Sequence, residues 1–278
     1  MIAALTIEDH SSSSLWSKIK ALFYPYEITA RLRKQNKITV LHVKYSDYRG
    51  KIYWKKLYPY LSGYHQYVLC PKSIDLSGTS LRRFEDHEYN LLLMRNFVTD
   101  MLQKADIPPQ NLRIAYYDPM AACPSVAEAL IDYTSRLTVV TDMPKFYENE
   151  AERLLKLFGV PITVSNSLDA LSNNDILLTS VPVTSPLPLS AHTIVFSAEP
   201  PRTAVRSTVI YDYFVSVPYK YQRLQPQDIG NAYFLSALYS LCRVRELEKI
   251  LPVKCSDGQA LFTAERLIQR LQSFRQSA

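Results

Sequence analysis

Short apolar runs alternate with amphipathic stretches between residues 112 and 199. The runs are rich in β-branched and aromatic residues, which predicts strands. The five predicted strands cover residues 112–118, 137–142, 162–166, 175–180 and 193–199. Two intervening stretches carry apolar residues at helical spacing. These are Val126, Ala129, Leu130 and Tyr133 in the first stretch, and Tyr147, Ala151, Leu154, Leu155 and Phe158 in the second. The alternation predicts an α/β fold with a parallel sheet covered by helices on both faces.

Local signals predict where the helices of this region begin and end. Ser125 followed by Glu128 has the spacing of a capping box, which predicts a helix start at Ser125. Gly159 suits the position just after a helix, so the second helix is predicted to end there. The proline-rich stretch 181–192 is predicted to be a loop, because proline cannot donate to a sheet.

The residues before this region predict an N-terminal basic α/β domain over residues 1–108, which ends at a Pro-Pro pair. Its predicted elements are helices at 15–22, 27–35 and 84–105 and strands at 38–45 and 66–70. Residues 51–61 fit either a hairpin strand or a helix. The domain that contains the predicted parallel sheet is then expected over residues 109–218.

The residues after it predict a further strand at 207–217 and a C-terminal helical segment, residues 219–278, that packs back on the domains. A long helix is expected at 226–251. From Ala232 to Cys242 this helix is apolar on nearly all sides, so we expect it to be buried in a domain interface or in a homodimer.

Composition excludes several classes of protein. Of the 278 residues, 47% are hydrophobic and 21% are charged, as in globular proteins. No apolar run reaches about 18 residues, so no membrane span is expected. The first 14 residues lack a basic region before their apolar start, which argues against a signal peptide. The four cysteines have no metal-binding spacing and are expected to be free thiols in the cytoplasm.

Positive charge is concentrated in the first 104 residues, which hold 16 Lys and Arg against 9 Asp and Glu. Between Arg31 and Lys56 there are nine basic residues and one acid, with tyrosines and a tryptophan interleaved. Basic and aromatic residues together are typical of nucleic-acid surfaces. A net charge of +6 is modest for such a protein, so nucleic acid is disfavoured as a partner.

The order of elements from residue 112 resembles a Rossmann-like dinucleotide-binding domain. Asp142 stands at the end of the second predicted strand, 24 residues after Asp118. The resemblance implies that Asp142 binds the ribose hydroxyls of a cofactor and that Thr179 and Ser180 lie beside it. The plan of the whole chain also resembles that of shikimate dehydrogenase, but none of that family's motifs is present.

The turn after the first strand departs from the Rossmann pattern. It runs from Asp118 to Ser125 with the sequence DPMAACPS, and it contains no glycine. The family uses glycines there because the backbone must approach a pyrophosphate closely. Side chains would fill that place here, and Asp118 would add negative charge. NAD or NADP is therefore disfavoured as a cofactor, and S-adenosylmethionine is disfavoured more strongly.

Other chemistry is weaker in the sequence. Asp118, Asp142 and Glu199 follow predicted strands and would suit Mg²⁺ if they met, although acids are also common in turns. Cys123 precedes a helix but has no nearby histidine to act as its base. His192 opens the fifth predicted strand, near the expected ligand-binding rim, and is the histidine to test for acid–base catalysis. We expect no metal site.

We therefore expect a cytoplasmic Rossmann-like protein whose interdomain cleft binds a small nucleotide-like or anionic ligand, with no membrane association. The candidate ligand-binding residues are Asp118, Met120, Cys123, Ser125, Asp142, Thr179, Ser180 and Glu199. The first alternative is a non-catalytic scaffold or interaction protein with a degenerate cofactor site. The second is nucleic-acid binding through the basic N-terminal domain. The catalytic residues, if there are any, are not predicted.

Overall fold

A computed structural model describes residues 1–10, 19, 22–61 and 67–276. The chain folds into two compact units, each built from two separate stretches. Unit 1 comprises Met1–Asp86 and Ser216–Leu247, and unit 2 comprises His87–Val215 and Glu248–Ala278. This division differs from the sequence-based domains, because residues 88–105 belong to unit 2 and residues 219–247 to unit 1. The helix predicted at 15–22 lies, apart from residues 19 and 22, outside the described residues.

Fourteen strands and seven α-helices form the described elements of the two units. The strands are β1 (Ile2–Asp9), β2 (Tyr26–Gln35), β3 (Ile38–Asp47), β4 (Tyr67–Leu69), β5 (Arg82–Arg83), β6 (Arg113–Tyr117), β7 (Arg136–Val140), β8 (Ile162–Ser165), β9 (Ile176–Thr179), β10 (Ile194–Ser197), β11 (Thr208–Ile210), β12 (Asp212–Phe214), β13 (Lys254–Ser256) and β14 (Leu261–Phe262). The helices are α1 (Trp54–Leu61), α2 (Glu88–Ala105), α3 (Pro124–Leu130), α4 (Pro144–Phe158), α5 (Tyr219–Gln222), α6 (Asn231–Cys242) and α7 (Ala264–Gln276). Short 3-10 helices occupy Pro109–Asn111, Leu168–Leu171 and Arg245–Lys249. Among the described residues, no helix has both the length and the apolar character needed to cross a membrane.

Unit 1 contains a five-stranded sheet in the order β2-β3-β1-β4-β5. All neighbouring strands are parallel except β2 and β3, which form an antiparallel hairpin. The helix predicted at 27–35 is therefore wrong, because these residues are strand β2. Asn36 and Lys37 connect the hairpin with positive φ angles of 47° and 65°, as a two-residue type I′ turn requires. The ambiguous stretch 51–61 contains helix α1.

Unit 2 contains a six-stranded parallel sheet in the order β11-β10-β9-β6-β7-β8. Counted from β6, this is the strand order 3-2-1-4-5-6, which defines the Rossmann-like fold. The five strands predicted between residues 112 and 199 are confirmed. The central strands β9 and β10 are buried along their whole length, because helices cover both faces of such a sheet. Residues 181–192 form a loop, as predicted.

Two predicted elements after residue 200 are shorter than expected. The strand predicted at 207–217 is split into β11, which pairs with β10, and β12, which pairs with β13 in a separate three-stranded antiparallel sheet. The helix predicted at 226–251 begins at Asn231 and ends at Cys242, since Arg243 takes a left-handed conformation with a φ of 55°. The residues from Phe234 to Tyr239 are buried within the single chain. A homodimer through this helix stays a prediction.

The helix signals of the Rossmann-like region are partly confirmed. Gly159 ends α4 in a left-handed conformation, and its N–H bonds to the carbonyl oxygen of Leu155 at 2.9 Å. The capping box is wrong: α3 begins at Pro124, with Cys123 at the N-cap and no side-chain cap. On α4 the apolar stripe is narrower than predicted. Leu155 and Phe158 are 49% and 51% exposed, because only one side of the helix faces the sheet.

Candidate functional site

The candidate site lies at the carboxyl ends of β6 and β9. These strands are neighbours in the sheet although two other strands and three helical segments separate them in the chain. Connections leave the two strands toward opposite ends of the sheet, which makes this the topological switch point where Rossmann-like folds bind ligands. Asp118 follows β6 and Ser180 follows β9. The Ser180 hydroxyl donates to Asp118 Oδ1 at 2.7 Å and so joins the two strand ends.

The Asp118 carboxylate is fully buried and accepts five hydrogen bonds. Three come from hydroxyl groups and two from the backbone. The donors are Tyr116 at 3.2 Å, Tyr147 at 2.7 Å, Ser180 at 2.7 Å, the Ala122 N–H at 2.9 Å and the Cys123 N–H at 3.0 Å. A buried ionised carboxylate is costly unless its lone pairs are occupied, and charge-assisted hydrogen bonds supply that compensation. Within the described residues, no lysine or arginine forms an ion pair with it.

The backbone donors reach Asp118 because of the shape of the turn that follows it. The Ala121 N–H bonds to the Asp118 carbonyl oxygen at 3.2 Å, which closes a tight turn. Ala121 has a φ of 51°, a conformation that normally favours glycine. The next two N–H groups therefore point back at the carboxylate. Pro124 follows as the first residue of α3 and has no N–H to offer.

The two tyrosines hold their protons as they donate. Burial raises the pKa of Tyr116 far above its ordinary value, and the negative charge of Asp118 raises it further. Burial and the hydrogen bond to Asp118 likewise raise the pKa of Tyr147. Both hydroxyls are therefore fixed as hydrogen-bond donors rather than as acids available for proton transfer. Tyr116 also donates to the Cys123 carbonyl oxygen at 3.0 Å, which ties the turn to the strand.

The remaining predicted residues of this edge are dispersed. Met120 is 68% exposed, and Ser125 is exposed with its Oγ 3.4 Å from the Sγ of Cys123. Asp142 is exposed, and its N–H bonds to the Pro119 carbonyl oxygen at 3.1 Å. Thr179 is buried and donates to the Val181 carbonyl oxygen at 2.7 Å. The structure thus brings Cys123 and Ser180 to the Asp118 carboxylate, and Ser125 joins this group through the Cys123 thiol.

Glu199, after β10, is engaged elsewhere. Its carboxylate lies 2.7 Å from His87 Nδ1 and 3.9 Å from Arg202. Asp118, Asp142 and Glu199 do not gather, and no group of three metal-binding side chains exists in the part of the chain that the structure describes. The arrangement offers no support for the magnesium alternative.

Tyr116 and Tyr147 belong to the site although the sequence pattern does not mark them as site residues. The pattern places Tyr147 only in an apolar helix stripe. Tyr116 lies two residues before Asp118 on a strand, and residues two apart on a strand point to the same face. That spacing is the signal in the sequence for a contact between Tyr116 and Asp118. The contact forms only because the turn folds the Asp118 side chain back against the sheet.

The histidines occupy other environments. His192 precedes β10 and lies at its amino end, so the expectation that it sits near the ligand-binding rim is wrong. His42 is buried, and its Nε2 lies 2.8 Å from the Thr6 hydroxyl. Burial lowers the pKa of His42, which favours the neutral ring.

Part of the basic segment from Arg31 to Lys56 is used within unit 1. Arg33 donates to the carbonyl oxygens of Arg223 and Gln225 at 3.0 and 2.9 Å. Lys44 pairs with Glu8. Lys55 and Lys56 are exposed on α1. The segment is therefore not a continuous free basic surface, and nucleic-acid binding stays a prediction.

The chain is similar in fold to several solved structures of dehydrogenases and reductases, all at low sequence identity. No protein-family model and no curated protein match the chain. A quinate dehydrogenase from Corynebacterium glutamicum in complex with NAD is 10% identical over 71% of this chain and 80% of its own, with a TM-score of 0.31. The 5-ketofructose reductase of Gluconobacter sp. strain CHM43 is 11% identical over 98% of both chains, with a TM-score of 0.32. An archaeal alanine dehydrogenase dimer with bound NAD is 12% identical over 69% of this chain and 66% of its own, with a TM-score of 0.30. The Rossmann-like assignment rests on the strand order of unit 2.

Proposed function

We propose that this chain is a Rossmann-like protein that does not use a dinucleotide cofactor and that serves as a non-catalytic binding or scaffold protein. The observation that carries the proposal is the hydrogen bonding of the Asp118 carboxylate to the Ala122 and Cys123 N–H groups. In dinucleotide-binding domains, the N–H groups of this turn and the following helix N-terminus meet the pyrophosphate. Here the chain supplies its own anion to them.

Three features of the Asp118 turn disfavour the binding of a pyrophosphate. The Asp118 carboxylate is negatively charged, so it would repel a phosphate group placed beside it. This repulsion is strong because the buried surroundings have a low dielectric constant. The two backbone donors are already used. Pro124 removes the N–H that the first turn of the helix would otherwise present.

The test is chemical rescue of a variant that lacks the carboxylate. In Asp118→Gly the turn keeps its backbone donors but loses its anion, so we expect a lower melting temperature that rises again when acetate or formate is added. The wild-type protein is measured with the same anions, and rescue is the rise in melting temperature of Asp118→Gly beyond any rise of the wild-type protein. Asp142→Gly is the matched control, because Asp142 is an exposed acid of the neighbouring turn and its loss leaves no buried donor unpaired.

Dinucleotide titrations complete the test. We expect NAD, NADH and NADP to leave the wild-type melting temperature unchanged, whereas a ligand at 100 times its Kd would add about 2.7 kcal/mol to the free energy of unfolding. Saturable binding of NAD to the wild-type protein that is lost in Asp142→Asn would overturn the proposal. Failure of acetate and formate to rescue Asp118→Gly would remove its physical basis.

One observation favours a second candidate function, the binding of a small nucleoside-like ligand without a pyrophosphate. Asp142 keeps an exposed carboxylate at the end of β7, where the fold binds ribose hydroxyls. Such a ligand would use this carboxylate without approaching Asp118. Adenosine should then raise the melting temperature of the wild-type protein but not that of Asp142→Asn. An equal response of the two proteins would reject this candidate.

We also propose a cytoplasmic location. All four cysteines are free thiols, and Cys70 and Cys255 are buried. Free thiols persist in reducing compartments. Tagged protein in cell fractions would test this, and recovery in an oxidising compartment would contradict it.

A further inference from the structure

Two cavities open at the amino edge of the unit 2 sheet, the edge opposite Asp118. The first has a volume of about 440 Å³ and the second of about 380 Å³. They share Arg113, Arg136, Asn173 and Asn174 in their walls. Both volumes fall in the usual range for small-molecule sites, roughly 300–1,000 Å³. The pair therefore has the size of a ligand site at the edge where Rossmann-like folds do not normally bind one.

Two arginines stand side by side in these walls. Arg113 and Arg136 are the first residues of the neighbouring strands β6 and β7, and they are register partners. Like charges at directly paired positions of a sheet disfavour folding. Asp175 offsets part of this repulsion. Its Oδ2 accepts a hydrogen bond from the backbone N–H of Arg113 at 2.9 Å and lies 3.9 Å from Nε of the Arg113 guanidinium.

Arg136 has no such compensation. It is exposed, and within the described residues its guanidinium makes no hydrogen bond or ion pair. A guanidinium presents a planar set of donors that matches the two oxygens of a carboxylate or phosphate. The cluster of Arg113, Arg136 and Asp175 thus has one positive charge in excess, and the unused donors of Arg136 belong to a residue that lines both cavities.

An apolar wall adjoins this charge. Leu271 and Phe274 of α7 line the first cavity together with His192. The Phe274 ring lies 4.8 Å from the His192 ring and 5.3 Å from the Arg270 guanidinium, measured from the ring centroid. A ligand with one anionic end and an apolar or aromatic body would satisfy both parts of the cavity at once.

We propose that the amino-edge cavities bind a small organic anion, with its carboxylate or phosphate group on Arg136 and Arg113 and its apolar part against Leu271 and Phe274. The site is separate from the Asp118 turn and does not depend on the loss of dinucleotide binding. Benzoate, phenyl phosphate and inorganic phosphate serve as probes of the charge, the aromatic body and the phosphate alone.

The experiment is calorimetric titration of these three probes in buffered physiological salt, with melting temperatures measured in parallel. We expect saturable binding of benzoate or phenyl phosphate, and whichever binds more tightly identifies the acid group. Arg136→Gln should weaken that binding about tenfold or more, because one charge-assisted contact is lost. The matched control is Arg202→Gln, which removes an exposed arginine at the opposite edge of the sheet and should change the affinity less than about twofold.

A second variant separates the apolar wall from the charge. Phe274→Leu should weaken phenyl phosphate more than inorganic phosphate, because only the former contacts the ring. Three results would overturn the proposal: no binding of any probe, equal affinities in the wild-type protein and Arg136→Gln, or equal losses for Arg136→Gln and Arg202→Gln. None of these measurements involves Asp118, so their failure would leave the proposed function untouched.

Discussion

The two edges of the parallel sheet in unit 2 use their charged residues in opposite ways. At the carboxyl edge, Asp118 is buried and all its hydrogen-bonding capacity is taken up by donors of the same chain. At the amino edge, Arg136 is exposed beside a second arginine and faces two cavities. The edge that the fold usually offers to ligands is filled from within, whereas the other edge keeps unsatisfied charge. A fold rule therefore locates where ligands usually bind, but the satisfaction of polar groups decides whether a given site is open.

The strongest test of this contrast removes the buried acid. Asp118→Ala leaves five donors facing a void, and each buried unpaired polar group costs about 1–3 kcal/mol. Some hydroxyls can rotate toward other partners, so we expect a loss of roughly 3–5 kcal/mol in the free energy of unfolding, measured by urea denaturation. Asp142→Ala should change it by less than about 0.5 kcal/mol. Similar losses for the two variants would remove the distinction between a structural acid and an exposed one.

A smaller effect is expected when a single donor is removed. Tyr147→Phe deletes the 2.7 Å bond to Asp118 and keeps the ring. A hydrogen bond to a charged group contributes about 1.5–3 kcal/mol, so we expect a loss of that size in urea denaturation. Tyr133→Phe is the control in the same unit, because Tyr133 is half-buried and its hydroxyl has no hydrogen-bond partner among the described residues. If Tyr133→Phe cost as much, the carboxylate would not be the cause.

The turn itself carries strain that a glycine would relieve. Ala121 has a φ of 51°, and a left-handed conformation costs an L-residue roughly 1–2 kcal/mol. Glycine also loses more freedom on folding, so Ala121→Gly should stabilise the protein by about 0.5–1 kcal/mol. Ala122→Gly in the same turn should instead destabilise it slightly, since Ala122 has no positive φ. Thermal denaturation of both variants distinguishes strain at one residue from a general response of the turn.

The smallest effect belongs to the amino edge. Arg136→Ala removes an exposed charge that has a like charge as its cross-strand neighbour. We expect the free energy of unfolding to change by less than about 0.5 kcal/mol, or to rise slightly. Arg113→Ala should cost more, up to about 1 kcal/mol, because it also breaks the contact with Asp175. A large loss in the free energy of unfolding for Arg136→Ala, measured by urea denaturation, would show that Arg136 stabilises the fold and is not a free ligand-binding group.

The sheet of unit 2 was predictable because its strands are short apolar runs that each stand between helical patterns. Strand β2 was not, because its residues are mostly exposed and its strand form depends on pairing with β3. The candidate edge was predictable from the general rule for parallel sheets. The hydrogen bonds that occupy the Asp118 carboxylate at this edge were not predictable. Their donors come from four separate segments, which meet only in the folded protein. The arginine pair likewise becomes a pair only through the register of β6 and β7.

The interleaved division of the chain has a consequence for synthesis on the ribosome. Unit 1 lacks its last stretch until residue 247 has been made, and unit 2 requires α7, which follows it. The sheet of unit 1 therefore stays incompletely buried while most of unit 2 is translated. Cutting the chain at residue 108 or 218 would give fragments that each contain part of both units. A protein fragment that is meant to isolate unit 2 should instead join residues 87–215 to residues 248–278 through a short linker.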